Sequence, residues 1–216
     1  MMYNEGTIIA LSSPPGSGAI AIIRLSGDEA ITKTDLFFKS KSGKKLKQNN
    51  GYSISYGDLI EKDEIIDEVV VSVYKGPHSY TGENVIEISC HGSNYIQQRI
   101  LTLFTDAGVR LASPGEFTLR AYLNKKKDLS QAEAVGDLIA SESEEEHRIA
   151  MEQMRGGYSD EIEILRGKLV HFKSLIELEL DFSEEDVKFA DRSDLKTLLN
   201  AVSYTHLRAH ETADNL

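Results

Sequence analysis

The spacing of apolar residues divides this chain of 216 residues into two parts, and the division limits the folds open to it. Up to about residue 118, runs with a period of two, as in strands with one buried face, are interspersed with stretches of helical spacing such as 28–38 and 94–106. From Ser130 onward, apolar residues recur at helical spacing, and breakers are rare before Gly156-Gly157. We therefore predict an α+β protein, with an N-terminal α/β domain on a mixed sheet and a following all-helical part.

Charge follows the same division. Residues 1–128 hold 15 Lys and Arg and 15 Asp and Glu, whereas residues 129–216 hold 9 and 20, so the net charge of −11 belongs to the second part. An acidic surface repels phosphate backbones, which makes this part a poor nucleic-acid surface on its own. The single cysteine excludes an internal disulfide, and neither a membrane span nor a secretory signal is recognisable. We expect a cytoplasmic protein.

Turn residues and apolar spacing bound the individual elements. We predict strands at residues 7–11, 19–25, 52–60, 68–74, 85–90 and 109–111, helices at 28–38, 94–106, 114–124, 130–156, 162–180 and 193–200, and an exposed loop at 39–50. The capping box Ser130-Gln-Ala-Glu133 is expected to open the first helix of the second part. Residues 201–216 lose the helical period and resemble the foreign ends attached to incomplete assembled sequences, so we expect a non-native tail.

Glu87 lies in the middle of a predicted strand, where a carboxylate is least expected. It shares one strand face with Val85 and Ser89, while Ile86 and Ile88 occupy the other. A carboxylate at such a position is costly to desolvate unless it meets a cation or several hydrogen-bond donors. Two interpretations stay open: the face is simply solvated, or Glu87 binds a ligand rich in N–H groups.

Two groups of cations accompany Glu87. Arg24 ends an apolar run, where it either extends its head to solvent or supplies a positive charge near Glu87. Lys125, Lys126 and Lys127 follow a predicted helix at the border of the acidic part, and three adjacent lysines are typical of a solvated turn. They are nevertheless the only such cluster in the sequence outside the lysine-rich loop at 39–47.

Several chemistries are disfavoured by the sequence. It contains no Gly-x-x-x-x-Gly-Lys-Ser/Thr phosphate loop, so we expect no nucleotide hydrolysis by that route. The pattern Gly16-Ser-Gly-Ala-Ile-Ala21 leads into a strand-like run instead of the helix that a dinucleotide site requires. Cys90 and His91 are strand neighbours on opposite faces and form no nucleophile and base pair. We predict no catalytic residue and no metal site.

Several long motifs occur in a characteristic order: Thr7-Ile-Ile-Ala-Leu-Ser-Ser-Pro-Pro-Gly-Ser-Gly18, Ile23-Arg-Leu-Ser-Gly27, Ser79-Tyr-Thr-Gly-Glu-Asn-Val-Ile-Glu87, His91-Gly92, Pro114-Gly-Glu-Phe117, Arg120-Ala-Tyr-Leu-Asn124 and Asp128-Leu-Ser-Gln-Ala-Glu-Ala134. Together they resemble the MnmE (TrmE) family of tRNA uridine-modification GTPases. The resemblance covers residues 3 to about 200.

The resemblance implies a folate-binding domain at residues 1–118 and the start of a helical domain at 119–200, ending before the inserted GTPase domain. Carried over by motif, the family's residues for 5-formyl-tetrahydrofolate, or another reduced folate, are Arg24, Glu87 and Lys126. Ser17 departs from the family, which has arginine in this loop, so the loop's part in the site stays open.

The resemblance also implies a function for the whole protein. The family adds a carboxymethylaminomethyl-type group to the wobble uridine of tRNA, together with a flavin-dependent partner of the MnmG family. It uses GTP, Mg and K ions at sites outside this sequence, and it forms homodimers through the N-terminal domain. Two alternatives stay open: a folate-dependent aminomethyltransferase-like protein, and a purely structural dimerisation module.

Overall fold

The computed structural model describes residues 6–181 and five residues between 193 and 200. Five of the eight residues of the predicted helix at 193–200 are described, and all five are helical, whereas the predicted tail at 201–216 lies wholly outside the described residues. The chain forms two compact units, Met1–Val135 and Gly136–Leu216.

The elements follow the predicted order closely. The strands are β1 Ile8–Leu11, β2 Ile20–Ser26, β3 Phe38–Ser40, β4 Ser53–Glu61, β5 Glu64–Tyr74, β6 Val85–His91 and β7 Arg110–Leu111. The helices are α1 Ala30–Phe37, α2 Asn94–Asp106, α3 Glu116–Leu123, α4 Leu129–Ala140, α5 Glu144–Met154 and α6 Gly157–Asp181. None of the helices within the described ranges is long and apolar enough to cross a membrane.

The seven strands form one mixed sheet in the order β3-β4-β5-β6-β2-β1-β7. All neighbouring strands are antiparallel except β1 and β7, which run parallel. Helices α1 and α2 contribute to the core on one side of this sheet, with Ile31, Ile100 and Phe104 buried among strand residues. The predicted α+β class with a mixed sheet is confirmed.

The opposite side of the sheet is only partly covered. Directly opposed residues of antiparallel strands share a face, and the register joins Tyr56 to Val70 and Val70 to Ser89. Ile20, Ile54, Tyr56 and Val70 on this side are 68%, 74%, 50% and 37% exposed. We call these four residues the open face.

The predicted exposed loop at 39–50 is partly wrong. Its first residues continue β3 along the edge of the sheet, and Leu46 is fully buried in the core. The cause is Asp35, whose carboxylate accepts hydrogen bonds from the backbone N–H groups of Leu46, at 2.7 Å, and Lys47, at 3.1 Å. The spacing of apolar residues within 39–50 could not reveal these hydrogen bonds, because their acceptor, Asp35, lies outside the segment.

The β4–β5 hairpin is tighter than predicted. The charged residues expected to form a linking segment extend both strands, so the turn consists of Lys62 and Asp63 alone. Both residues have positive φ, at 47° and 70°, as a two-residue hairpin turn of this kind requires. Alternating charged residues can therefore belong to strands where both faces of the hairpin tip meet water.

Several helix boundaries differ from the prediction; α6, for example, begins at Gly157 and not at residue 162. Helix α4 is capped by Asp128, which accepts from Gln131 N at 2.8 Å while the Gln131 side chain accepts from Asp128 N at 3.0 Å. This reciprocal pair starts the helix ahead of the predicted capping box at Ser130. The predicted helix over 130–156 is also interrupted, because Ser143 caps a new helix by accepting from Glu146 N.

Candidate ligand-binding site

Arg24 and Glu87 form an ion pair in the middle of the sheet. They are directly opposed in the β2–β6 register, and Arg24 Nε and Nη2 donate to the same carboxylate oxygen, Glu87 Oε1, at 2.9 and 2.7 Å. Their side chains are 26% and 24% exposed, so the pair is neither deeply buried nor freely solvated. Of the two alternatives for Arg24, the structure shows the cation close to Glu87.

Two aromatic rings flank the guanidinium group of Arg24. Its Cζ atom lies 5.5 Å from the ring centroid of Tyr80 and 5.6 Å from that of Phe117. Tyr80 is held in turn by a 2.9 Å hydrogen bond between its hydroxyl group and that of Thr118 on α3. Cation–π contacts of this kind restrain a long side chain without using its N–H donors. Arg24 is therefore fixed in place with donors still available.

Glu87 Oε2 and Arg24 Nη1 make no hydrogen bond within the part of the chain that the structure describes. The pair thus offers an acceptor and a donor side by side, next to two aromatic rings. A flat ligand with adjacent N–H and carbonyl groups matches that arrangement.

Arg120 holds the segment between β5 and β6 against the end of β2. Its guanidinium group, 1% exposed, donates to Glu83 at 2.8 Å and to the Gly6 carbonyl oxygen at 2.8 Å. Ser26 hydroxyl also donates to Glu83 and shares a 2.7 Å hydrogen bond with Thr81. This buried network fixes the chain directly after Tyr80, at Thr81 and Glu83.

Glu116 joins the same network from the first turn of α3. Arg110 donates hydrogen bonds to its carboxylate and, with a hydrogen bond from Ser113 N and one from Arg120, lowers the pKa of Glu116 to about 2. Burial alone would raise this pKa, so the hydrogen bonds outweigh desolvation. Glu116 is consequently ionised throughout the physiological range and anchors α3.

Lys126 contacts the same segment at Gly82. The stem of its side chain packs over Gly82, where an added Cβ would come within 3.3 Å of Lys126 Cγ and 3.0 Å of Asn124 Cβ. Gly82 also has a φ of +81°, which favours glycine. No hydrogen bond or ion pair joins Lys126 to Arg24 or Glu87 among the residues described. Of the three predicted site residues, two are in contact and the third is separate.

Two protein-family models match this chain. The family model described as "GTP-binding protein TrmE N-terminus" matches residues 7–126, more than half of the chain, and the one described as "MnmE helical domain" matches residues 129–215. The chain belongs to the MnmE (TrmE) family.

Curated MnmE-family relatives are similar along most of the chain. Those of Flavobacterium johnsoniae, Bacteroides fragilis and Cytophaga hutchinsonii are 56%, 55% and 53% identical over 203, 200 and 196 residues, and each is named "tRNA modification GTPase MnmE". The matched regions are 94%, 92% and 91% of this chain but 44%, 43% and 42% of those proteins. The chain therefore spans less than half the length of these relatives.

Sequence reasoning missed the side chains that hold Arg24 and the segment beside it. Tyr80, Phe117 and Arg120 were all within motifs that carried the resemblance, yet the motifs alone assign them no role. Their partners lie far away along the chain: 38 residues separate Tyr80 from Thr118 and 114 separate Arg120 from Gly6. The one available signal was the co-occurrence of these motifs, which marked the segments without showing which residues meet.

The thiol and imidazole at the end of β6 do not act together. Burial raises the pKa of Cys90 to about 11, so the thiol stays protonated, and it donates to the Ala21 carbonyl oxygen at 3.6 Å. The ring of His91 instead bonds through Nδ1 to Asp67 at 2.6 Å. No group of three or more metal-ligating side chains occurs among the residues described.

Proposed function

We propose that Arg24, Glu87 and Lys126 bind a reduced folate such as 5-formyl-tetrahydrofolate. The observation that carries the proposal is the partly exposed Arg24–Glu87 pair, which keeps one carboxylate oxygen and one guanidinium nitrogen free of hydrogen bonds among the residues described. Membership of the MnmE family, in which these motif positions serve folate, supports the same assignment.

The chemistry of a pterin suits this pair. Its pyrimidine edge presents an amino group and a ring N–H side by side, followed by a carbonyl oxygen. Glu87 accepts the two N–H groups, and Arg24 donates to the carbonyl oxygen while keeping the carboxylate ionised. Tyr80 and Phe117, already packed around Arg24, provide flat apolar surface for the ring system. Lys126 is the cation for the carboxylates of the ligand's glutamate tail.

For the whole protein, we propose the activity named for its relatives, modification of tRNA coupled to GTP hydrolysis. The folate-binding part, residues 1–118, and the helical part, residues 119–200, would then serve a longer enzyme that uses GTP, Mg and K ions. Its flavin-dependent partner of the MnmG family completes the carboxymethylaminomethyl group on the wobble uridine in the cytoplasm.

We also propose that the protein forms homodimers through its N-terminal domain. The open face supports this, because Ile20, Ile54, Tyr56 and Val70 form an apolar surface on the uncovered side of the sheet. Exposed apolar side chains on one side of a sheet are typical of protein interfaces.

Calorimetric titration of 5-formyl-tetrahydrofolate into the 216-residue chain tests the central part of this proposal. We expect one saturable site per chain and much weaker binding of fully oxidised folate. Absence of binding would favour the purely structural module. Folate binding by the complete protein, without any effect of deleting its gene on wobble-uridine modification, would favour the aminomethyltransferase-like alternative.

A further inference from the structure

A cluster of lysines borders a cavity next to the proposed folate site. The cavity has a volume of about 470 Å³, and its lining includes Tyr122, Lys125, Lys126, Lys127 and Gln131. We call it the lysine pocket. Only Lys126 belongs to the folate site carried over from the family, so Lys125 and Lys127 are cations without an assigned role.

The pocket carries excess positive charge. None of its three ammonium groups lies within 4 Å of a carboxylate in the described part of the chain. Asp128 also lines the cavity, but its carboxylate caps α4 by accepting from Gln131 N at 2.8 Å. The three lysine ammonium groups outnumber the single carboxylate of Asp128, which already caps a helix. This excess of positive charge favours an anionic ligand with several carboxylates.

One aromatic ring, that of Tyr80, links a lysine of the pocket to the proposed folate site. Lys127 Nζ lies 5.9 Å from the ring centroid of Tyr80, and Arg24 Cζ lies 5.5 Å from the same centroid. The stem of Lys126 packs over Gly82, two residues further along the segment that carries Tyr80. A ligand whose ring binds beside Arg24 can therefore extend past Tyr80 towards all three lysines.

We propose that the lysine pocket binds the γ-linked oligoglutamate chain of reduced folates, with Lys125 and Lys127 holding the carboxylates beyond the first glutamate. The inference rests on the proposed folate function and adds selectivity for polyglutamylated ligands. Each γ-linked glutamate adds one carboxylate on a flexible chain, and lysine matches such a ligand because its ammonium group is a mobile point charge. A concave pocket beside a small-molecule site fits this ligand better than a tRNA backbone, which needs an extended surface.

The test compares the mono- and triglutamate forms of 5-formyl-tetrahydrofolate by calorimetry on the 216-residue chain. We expect the triglutamate to bind about tenfold more tightly, since two further carboxylates each gain a partly exposed ion pair. The double substitution Lys125→Gln with Lys127→Gln should reduce this ratio to about twofold. The matched control, Lys44→Gln with Lys62→Gln, removes two exposed lysines elsewhere and should leave the ratio unchanged.

Salt provides a second measurement that needs no substitution. The triglutamate advantage of the wild-type chain should shrink between about 50 and 300 mM salt, because exposed ion pairs are screened. Equal affinity for the two forms would overturn the inference while leaving the proposed folate function intact. Binding of neither form would instead reject the folate function itself. Equal folate affinities together with weaker tRNA retention by the Lys125→Gln, Lys127→Gln protein would assign the pocket to a phosphate backbone.

Discussion

At the scale of single residues, the sequence located Glu87 correctly as the anomalous group on one strand face, and it offered Arg24 as its partner among two alternatives. The structure joins them because β2 and β6 place them directly opposite each other. That register depends on a pairing across 63 residues, which no local pattern reveals. Local periodicity predicts which face a residue occupies, and the tertiary fold decides which residue it meets.

Glu116 provides a pH-dependent test at the same scale. Its pKa is lowered from 4.5 to about 2, so its contribution to stability is fully present above about pH 4.5 and is lost as the pH falls towards 2. The depression corresponds to about 3 kcal/mol. We expect Glu116→Gln to lower the free energy of unfolding by about this amount at pH 7 and to flatten its decline between pH 4.5 and 2, as measured by urea denaturation.

The control for this experiment is Glu64→Gln, which changes a carboxylate that is 79% exposed and 3.9 Å from its nearest cation. Its stability profile should follow that of the wild type. Parallel profiles for Glu116→Gln and the wild type across this range would show that Glu116 is not preferentially ionised in the folded protein.

At the scale of elements, the strands and helices that the sequence predicted best are those with strong periodicity, such as α2 and β6. The prediction failed where one side chain imposed a local structure, as Asp35 does around Leu46 and as Ser143 does between α4 and α5. The candidate site is also a region whose local structure is imposed by one side chain. Its loop and helix are held by Arg120, whose contacts with Gly6 and Glu83 are set by the whole fold.

Replacing Arg120 tests this role. Arg120→Met removes the cation from the two carboxylates it contacts, Glu83 and Glu116, inside the protein. Breaking one side of a buried ion pair costs about 3–5 kcal/mol, so we expect a comparable loss in urea denaturation. Below the denaturation midpoint, the amides of Tyr80 and Gly82 should exchange with deuterium faster than those of β4, because the segment loses its anchor.

Arg148→Met is the matched control, since Arg148 pairs with Glu145 on the exposed surface of α5. Exposed pairs contribute about 0–1 kcal/mol, so this variant should stay close to the wild type. Equal effects of the two substitutions would mean that burial of Arg120 adds nothing to the stability of the site segment.

At the scale of the whole molecule, the sequence predicted an acidic helical part after a neutral α/β part, and membership of the MnmE family agrees with that order. The open face was not predicted. Strand alternation shows that two faces exist, but it does not show that α1 and α2 cover one of them while Ile20 and Ile54 stay exposed on the other. Coverage is decided by where the connecting helices pack.

The proposed dimer can be tested at this scale by sedimentation. We expect the wild-type chain to dimerise and Ile54→Lys to raise the dimer dissociation constant by about a hundredfold, because a lysine on each copy would be desolvated in an apolar interface. Leu36→Lys is the control, since Leu36 is 68% exposed but lies on α1 and not on the open face. A dimer unaffected by Ile54→Lys, or disrupted equally by Leu36→Lys, would place the interface elsewhere.

The central claim, that Glu87 binds the pterin of a reduced folate, is tested most directly by titrating 5-formyl-tetrahydrofolate into the wild type, Glu87→Gln and Glu68→Gln. Glu68 is a matched control, because it is a strand carboxylate paired with a different cation, Lys41, at 3.2 Å. Glu87→Gln replaces an acceptor by a donor facing the ligand's N–H groups, so we expect its affinity to fall by about 2–4 kcal/mol, or about thirtyfold to nearly a thousandfold.

Thermal melts of the same three proteins separate ligand binding from folding. Glu87→Gln weakens the ion pair with Arg24 and should lower stability by only about 1 kcal/mol, leaving the protein folded at the temperature of titration. The account predicts lost affinity in a folded Glu87→Gln protein and wild-type affinity in Glu68→Gln. Wild-type affinity in Glu87→Gln, or a loss that accompanies unfolding alone, would contradict it.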